Sequence, residues 1–407
     1  MAALAMIATL PGRTHGLGLI TEPLLNDLGL DRLVFALINL WATLIGAAFC
    51  LPAGWMIDRV GVRLALAGIT LPLGLVVICM SQLQNSWALP MVPALGVLVL
   101  LTRGLGQSAL SVLSLAVMGK SLGRRSAFGV AIYSILVAVG FMAAFSGVKV
   151  YLETWQFSWR SLWLNLGLCV IVIGLIGTWF LQKNQTSVRD HRDSGETHYQ
   201  SGITLLEAMK SASFWIFALA TSLYGLIVSG LSLFNQSILL ERGFDRSVFL
   251  TITALSPLVG LAGNLLTGWL SSRWSYQRLL SIALVGLSAA LALLPRVSTL
   301  PQVYFYAVIL GFTGGMITVI FFGVWQRSFG TAHLGKIQGA AQMLTVLASA
   351  LGPVLLASCL RWTGSYSPVI QGLAILVGIL ALVSWWTPSP LNSPGLSRLS
   401  SKIEAHP

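Results

Sequence analysis

Two arginines stand inside long apolar stretches of this sequence, where a charged side chain is costly. Arg13 lies in the first apolar stretch, and Arg103 lies about 16 residues from the loop on either side of its own stretch. An arginine at the centre of a bilayer costs about 2.5 to 3.5 kcal/mol on insertion scales. A guanidinium binds a carboxylate through two parallel hydrogen bonds. These two positions therefore predict recognition of an anion.

The acidic residues of the chain sharpen that prediction. All twelve lie outside the centres of the apolar stretches: Glu22, Asp27 and Asp31 near the end of the first stretch, the others in loops or at stretch ends. An anionic substrate could therefore supply the negative charge opposite the arginines. The alternative is that Arg13 and Arg103 bond backbone carbonyls or polar side chains and serve the fold. The sequence leaves both interpretations open.

The chain that positions these residues has the composition of a membrane protein. It is 56% hydrophobic and 9% charged, with a mean hydropathy of +0.83, which is too little polar surface to cover a soluble globule of 407 residues. A spanning α-helix needs about 20 apolar residues. Breaks divide the sequence into twelve such stretches: 1–26, 35–56, 64–82, 88–117, 126–150, 160–182, 213–240, 247–271, 278–295, 301–326, 337–360 and 366–387.

The basic residues of the loops predict the orientation of these spans. Alternate loops hold fifteen lysines and arginines on one side and seven on the other. Because basic residues stay on the cytoplasmic side, both termini are expected in the cytoplasm, as are the polar linker 183–204 and the tail 389–407. The net charge of +12 reflects this topology and an affinity for anionic lipid headgroups, and we expect no nucleic-acid partner.

Two short segments recur at the same interval of 214 residues. The segment 24–32 returns as 239–246, with Gly29, Asp31 and Arg32 falling on Gly243, Asp245 and Arg246; Gly54-Trp55 returns as Gly268-Trp269, and Arg59 returns as Arg273. A fixed interval between recurring segments indicates duplication. The sequence therefore predicts two related halves, 1–182 and 205–388.

The segment Gly54-Trp-Met-Ile-Asp58-Arg59-Val-Gly61-Val-Arg63 resembles the signature of the loop between helices 2 and 3 in the major facilitator superfamily. Twelve stretches, a central linker and a degenerate second copy at 268–278 extend the resemblance over the whole chain. It implies an all-α membrane fold of twelve helices in two pseudo-symmetric six-helix bundles. It also implies a gating role for Gly54, Asp58, Arg59, Gly61, Arg63, Gly268, Arg273 and Arg278.

The residue types of this motif suit a latch. Gly54 and Gly61 permit close helix contact and a tight turn. Asp58, at a helix end, can accept hydrogen bonds from basic groups or from exposed amides. The second copy has Ser272 in place of Asp58, so its latch is expected to be weaker. The alternative for Arg59 and Arg63 is that they only orient the chain in the membrane.

The same resemblance implies a central cavity lined mainly by the first, fourth, seventh and tenth spans, with substrate bound near the midplane. The polar residues that these spans place there are Arg13, His15, Arg103, Gln107, Tyr224, Asn235, Gln236 and Thr318. Arg103 and Gln107 share a helix face, and so do Tyr224 and Asn235. Arg13 and His15 can both face the cavity only if the first helix is irregular, which Pro11 and Gly12 favour.

Further motifs bear on the branch of the superfamily. The segment Arg103-Gly-Leu-Gly-Gln107 resembles the arginine motif of the fourth helix. Gly352-Pro353, in the eleventh stretch, resembles a motif that drug/proton antiporters carry in helix 5. Helix 5 here has Gly140-Phe141 at the corresponding place, without the proline, which counts against a drug antiporter. The segment 204–215 resembles the monocarboxylate-porter and oxalate/formate-antiporter branch, although the basic residue of that branch in helix 8 is missing.

These observations predict a secondary transporter that works by alternating access on a small organic anion such as a carboxylate. The alternatives are an exporter of amphipathic compounds or drugs and a non-transporting membrane receptor. The sequence has no nucleotide-binding glycine loop and no hydrolytic, redox or metal-ligand pattern, so we expect neither an enzyme nor a cofactor. The expected partners are the substrate, the bilayer and a coupling proton or counter-anion. We expect a monomer in a bacterial inner (plasma) membrane.

Overall fold

The computed structural model describes residues 1–18, 20–30, 32–84, 90–122, 127–154, 157–192 and 203–387. The predicted tail 389–407 and residues 193–202 of the predicted linker lie outside these ranges. The side chain of His15 is likewise not described.

Every regular element within the described ranges is helical. The α-helices are α1 (Ala2–Ile7), α2 (Thr14–Gly18), α3 (Thr21–Leu28), α4 (Arg32–Gly46), α5 (Cys50–Ser81), α6 (Met91–Thr102), α7 (Ser111–Leu122), α8 (Ala127–Lys149), α9 (Trp159–Arg192), α10 (Leu205–Met209), α11 (Ala212–Glu241), α12 (Arg246–Leu270), α13 (Tyr276–Leu293), α14 (Leu300–Phe329), α15 (Leu334–Thr363) and α16 (Ser367–Trp386). The 3₁₀ turns Leu10–Gly12, Ala47–Phe49 and Leu294–Arg296 and the π-helical segments Arg103–Leu110 and Val150–Thr154 join several of them.

Ten helices in the described part of the chain are long and apolar enough to cross a membrane. One of them, Val34–Ser81, is 48 residues long, and Gly61 within it has a non-helical φ of 83°, so it provides two spans. The shorter apolar segment Ala2–Gly12 continues into α2 and α3 as a broken first span. The predicted all-α fold is therefore confirmed, and the described helices are compatible with the predicted twelve spans.

The first span is not one helix over 1–26, because it breaks at Pro11. The chain turns through Leu10–Gly12 and becomes extended at Arg13, with φ of −88° and ψ of 151°. Proline lacks the N–H that a continuous helix needs, and the following glycine tolerates the turn. The irregularity expected from Pro11 and Gly12 is present.

The glycines of the 214-residue repeat end their helices in the same way. Gly29 follows α3 with a φ of 62°, and Gly243 lies just beyond α11 with a φ of 81°. Only glycine adopts this left-handed conformation without steric cost, so both copies use it to stop a helix. The recurrence of the segment thus has a local structural reason.

The chain forms two compact units. The first contains Met1–Ser121, Leu136–Gly202 and Thr331–Val346, and the second contains Leu122–Ile135, Ile203–Gly330 and Leu347–Pro407. A short segment from each half of the sequence therefore belongs to the unit built mainly from the other half. The helix α9 also runs beyond the predicted linker boundary at 183, to Arg192.

Glycines allow close helix packing inside each unit. In the first unit, a Cβ on Gly74 would lie 2.7 Å from the carbonyl oxygen of Gly167, so α5 and α9 approach backbone to backbone. In the second, a Cβ on Gly315 would lie 2.0 Å from the carbonyl oxygen of Gly260, where α14 meets α12. Small residues at such contacts are the usual means of association between helices in lipid.

Candidate functional site

Arg13 lies where the first span breaks, and its side chain is held from several directions. Its Nε donates to the Thr9 hydroxyl at 2.7 Å, and one Nη donates to the Ser111 hydroxyl of α7 at 3.3 Å. The guanidinium carbon lies 5.0 Å from the centroid of the Phe141 ring in α8. Arg13 remains half-buried. The guanidinium is therefore oriented, and part of the residue stays accessible.

Arg103 opens the π-helical segment and is buried, with 2% of its surface exposed. It donates to the backbone carbonyl of Gly12 at 3.0 Å, to the Asn39 side-chain oxygen at 2.8 Å and to the Gln107 side-chain oxygen at 3.1 Å. These bonds join the first, second and fourth spans. These contacts match the alternative interpretation of Arg103, in which its side chain bonds backbone carbonyls and polar side chains and serves the fold.

Gly12 lies next to Arg13 in the chain and packs against the helix that carries Arg103. A Cβ on Gly12 would lie 2.3 Å from the Thr102 carbonyl oxygen and 2.9 Å from the Gly106 Cα, so no other residue fits without a shift. Arg103 binds the Gly12 carbonyl, and Arg13 is the next residue in the chain. The break in the first span and the π-helical segment of the fourth thus meet at one point. Segments of π-helix often occur at functional sites.

Sequence reasoning missed five residues of this region. Met6, Thr9, Asn39, Ser111 and Phe141 contact the arginines. Asn39 is the lone amide side chain in its apolar stretch, and Thr9 lies one helical turn before Arg13, so both could have been found from the sequence. Phe141 could not, since an aromatic ring in an apolar helix is usually a packing residue.

Asp58 binds the start of α15, and both lie in the first unit. Its carboxylate accepts hydrogen bonds from the backbone amides of Gly335 at 3.1 Å and Lys336 at 2.9 Å, and from the Lys120 ammonium at 3.2 Å. Only 5% of the Asp58 side chain is exposed. The amides at a helix start are unpaired within the helix and favour an anion. A Cβ on Gly54 would lie 2.3 Å from the Gly335 carbonyl oxygen, so the two backbones touch.

The other residues of this motif have separate positions. Gly61 has a φ of 83°, which lets α5 change direction. Arg59 is exposed and lies over the Trp55 ring at 4.9 Å, and Arg63 is half-buried. We name the contact of Asp58 with Gly335 and Lys336 the latch.

The second copy of the motif also stacks an arginine on a tryptophan, but it has a different residue at the position of Asp58. The Arg273 guanidinium lies over the Trp269 ring at 4.6 Å. The Ser272 hydroxyl, which replaces the carboxylate of Asp58, donates to the carbonyl of Trp269 in its own helix at 2.7 Å. Gly268 is buried, and the exposed Arg278 donates its backbone amide to the hydroxyl of Ser275.

In the second unit, Tyr224 of α11 faces α14. Its hydroxyl shares a hydrogen bond with the Thr318 hydroxyl, and Thr318 donates to the carbonyl of Gly314 at 2.8 Å. A Cβ on Gly314 would lie 2.6 Å from the Tyr224 hydroxyl oxygen. Gly314 therefore leaves the space that the phenol occupies.

Asn235 faces the same helix three turns away. Its side-chain oxygen accepts a hydrogen bond from the buried Tyr306 hydroxyl at 3.4 Å. Tyr224 and Asn235 thus share a helix face, while Gln236 is half-buried. The structure brings Arg13, Arg103 and Gln107 together in the first unit and groups Tyr224 and Asn235 with Thr318 along α11 and α14 in the second.

Comparison of the chain with family models identifies one family. The Major Facilitator Superfamily model matches residues 1–353 and 217–405. No curated sequence matches the chain. The human organic anion transporter MFSD10 (TETRAN) has a similar structure, with a TM-score of 0.64, 16% identity and coverage of 95% of this chain and 97% of that one. The structure of the proton:xylose symporter XylE bound to 6-bromo-6-deoxy-D-glucose is also similar, with a TM-score of 0.65 and 15% identity. That match covers 95% of this chain and 96% of XylE. Because the family model matches well over half of the chain, the protein belongs to the Major Facilitator Superfamily of transporters.

Proposed function

We propose that this protein is a secondary transporter that moves a small organic anion, such as a carboxylate, by alternating access. The observation that carries the proposal is the half-buried Arg13 at the break of the first span. The uncharged hydroxyls of Thr9 and Ser111 orient its guanidinium. A guanidinium fixed in this way is suited to bind a carboxylate through two hydrogen bonds.

The second arginine has a supporting role in this proposal. Arg103 is buried and donates to Gly12, beside Arg13, so it fixes the backbone that carries the substrate-binding side chain. The fold of the human organic anion transporter MFSD10 accommodates such a substrate class. At 16% identity, that likeness concerns the fold alone.

The latch provides the moving part. The Asp58 carboxylate holds the start of α15, and its bonds to two amides can break and re-form at modest cost. In this proposal, residues 1–182 rock against residues 205–388, with both termini in the cytoplasm of a bacterial cell. The coupling ion is a proton or a counter-anion.

Uptake of radiolabelled carboxylates into proteoliposomes tests the anion site. Arg13→Gln removes the charge and keeps a polar side chain, so uptake should fall about tenfold or more, since charge-assisted bonds are lost. Arg361→Gln, at an exposed position near the end of α15, is the matched control and should leave uptake unchanged. Equal uptake by Arg13→Gln and the parent protein would refute the anion site.

A second candidate is export of amphipathic compounds. Phe141, which packs on Arg13, stacks with Phe145 at 6.0 Å between ring centroids, so an apolar surface adjoins the guanidinium. A substrate with an aromatic body would use both. Growth protection by the expressed protein against amphipathic cations and neutral drugs, without carboxylate uptake, would favour this function.

A further inference from the structure

Two tryptophan–arginine pairs lie at equivalent places in the two copies of the motif. Arg59 lies over Trp55 at 4.9 Å, and Arg273 lies over Trp269 at 4.6 Å. The indoles are 46% and 53% exposed. In both copies the arginine follows the tryptophan by four residues, one helical turn. The recurrence in both halves, at the interval of 214 residues, shows that the pair is a feature of the duplicated unit.

The carboxylate beside the first pair is engaged elsewhere, and the second pair has none. Asp58, which adjoins Arg59 in sequence, binds the amides of Gly335 and Lys336. Ser272, which adjoins Arg273, bonds its own helix. Among the residues that the structure describes, neither Arg59 nor Arg273 forms an ion pair. Each stacked guanidinium therefore keeps N–H donors that no described ion pair uses.

Exposed apolar side chains lie near both pairs in the sequence. Leu51 and Leu64 flank the first pair in sequence, and Leu265 and Leu266 precede the second, all as exposed side chains. In a membrane protein, such leucines face acyl chains, and a tryptophan at the end of a span lies at headgroup level. An arginine next to that indole reaches the level of the lipid phosphates.

The geometry points to each tryptophan–arginine pair as a binding site for the phosphate of an anionic phospholipid such as phosphatidylglycerol. The guanidinium donates to the phosphate oxygens, while the indole and the adjoining leucines contact the glycerol and the upper acyl chain. Inorganic phosphate could make only the first set of contacts, so the apolar surroundings favour the lipid. The shared residues of the motif thus give each half a contact with lipid.

Native mass spectrometry of the purified protein, after addition of phosphatidylglycerol and partial delipidation, counts the tightly held lipids. The parent protein should retain about two, one at each pair. Arg59→Gln and Arg273→Gln should each retain about one fewer, and the double variant should lose both. Arg296→Gln, at an exposed arginine that bonds only its own helix carbonyl in the contacts described, is the control and should retain both.

The parent protein provides a test that needs no variant. Phosphatidylglycerol should displace phosphatidylcholine from it, and inorganic phosphate should not displace phosphatidylglycerol. The inference is overturned if phosphatidylcholine is held as tightly, if inorganic phosphate removes the bound lipid, or if the double variant retains as much phosphatidylglycerol as the parent.

Discussion

The two copies of the duplicated motif, 54–63 and 268–278, share one interaction and differ in another. Both stack an arginine on an exposed tryptophan. In the first copy Asp58 binds the start of α15, whereas in the second Ser272 turns back on its own helix. In our proposals, the shared residues hold each half at the lipid surface, and the residue that differs forms the latch.

The same contrast extends to the interior of the two halves. The positions equivalent to Arg13 and Arg103 at the interval of 214 residues are Ile227 and Ile317, and both isoleucines are buried. The first half places two guanidiniums where the second half places apolar side chains. The polar groups in the interior of the second half include neutral hydroxyls such as that of Tyr224. Substitutions that make the first half resemble the second test what this asymmetry does.

Arg103→Ile should have the largest effect on stability. It gives the first half the residue of the second and leaves the Gly12 carbonyl and the Asn39 amide without their donor. Unpaired buried polar groups cost about 1 to 3 kcal/mol each, so the free energy of unfolding should fall by about 3 kcal/mol. Denaturant unfolding in detergent measures it.

The matched change in the second half is Ile317→Val, which removes one methyl group from a buried side chain and should cost about 1 kcal/mol. Equal losses for Arg103→Ile and Ile317→Val would mean that the hydrogen bonds of Arg103 do not stabilise the fold.

Asp58→Ser should release the latch while the protein stays folded. Serine cannot supply the charge that binds the amides of Gly335 and Lys336, so the contact should weaken by about 2 kcal/mol, or roughly thirtyfold. The readout is the rate at which a maleimide labels His333→Cys, next to the start of α15, in a protein whose four cysteines are replaced by alanine. Labelling should become faster.

The equivalent change in the second copy, Ser272→Ala, removes a hydroxyl that bonds only its own helix in the contacts described. It should leave labelling at His333→Cys unchanged. A similar acceleration of labelling by both variants would show that the two copies act alike, so Asp58 would not distinguish the first copy from the second.

Gly61→Ala should have a smaller effect, through the backbone alone. A Cβ at Gly61 would meet no atom within 4 Å, but its φ of 83° strains an alanine by about 1 kcal/mol. Gly68→Ala in the same helix is the control, since its Cβ would only touch Met56 at 4.0 Å. Unfolding should show a loss for Gly61→Ala and no loss for Gly68→Ala. The second copy turns with Ser275 at a φ of −72°, so no such strain arises there.

The sequence predicted those features that depend on composition and local geometry. Hydropathy gave the twelve spans, and Pro11 with Gly12 gave the break in the first. The partners of Asp58 could not be predicted, because they are backbone amides 277 and 278 residues away, and an amide has no residue-specific signature. The same holds for Arg103, which binds the carbonyl of Gly12. The motif indicated a latch, and only the fold shows which helix it holds.

Tyr224→Phe should have the smallest effect and tests the role of the second half. It removes the hydroxyl that bonds Thr318 and keeps the ring against Gly314. One neutral hydrogen bond contributes about 0.5 to 1 kcal/mol, so the KM for carboxylate uptake should rise roughly twofold to fivefold. That rise should be smaller than the loss of uptake in Arg13→Gln. If Tyr224→Phe impaired uptake more than Arg13→Gln, the second half would supply the main substrate contact, and the placement of charge in the first half would serve folding instead.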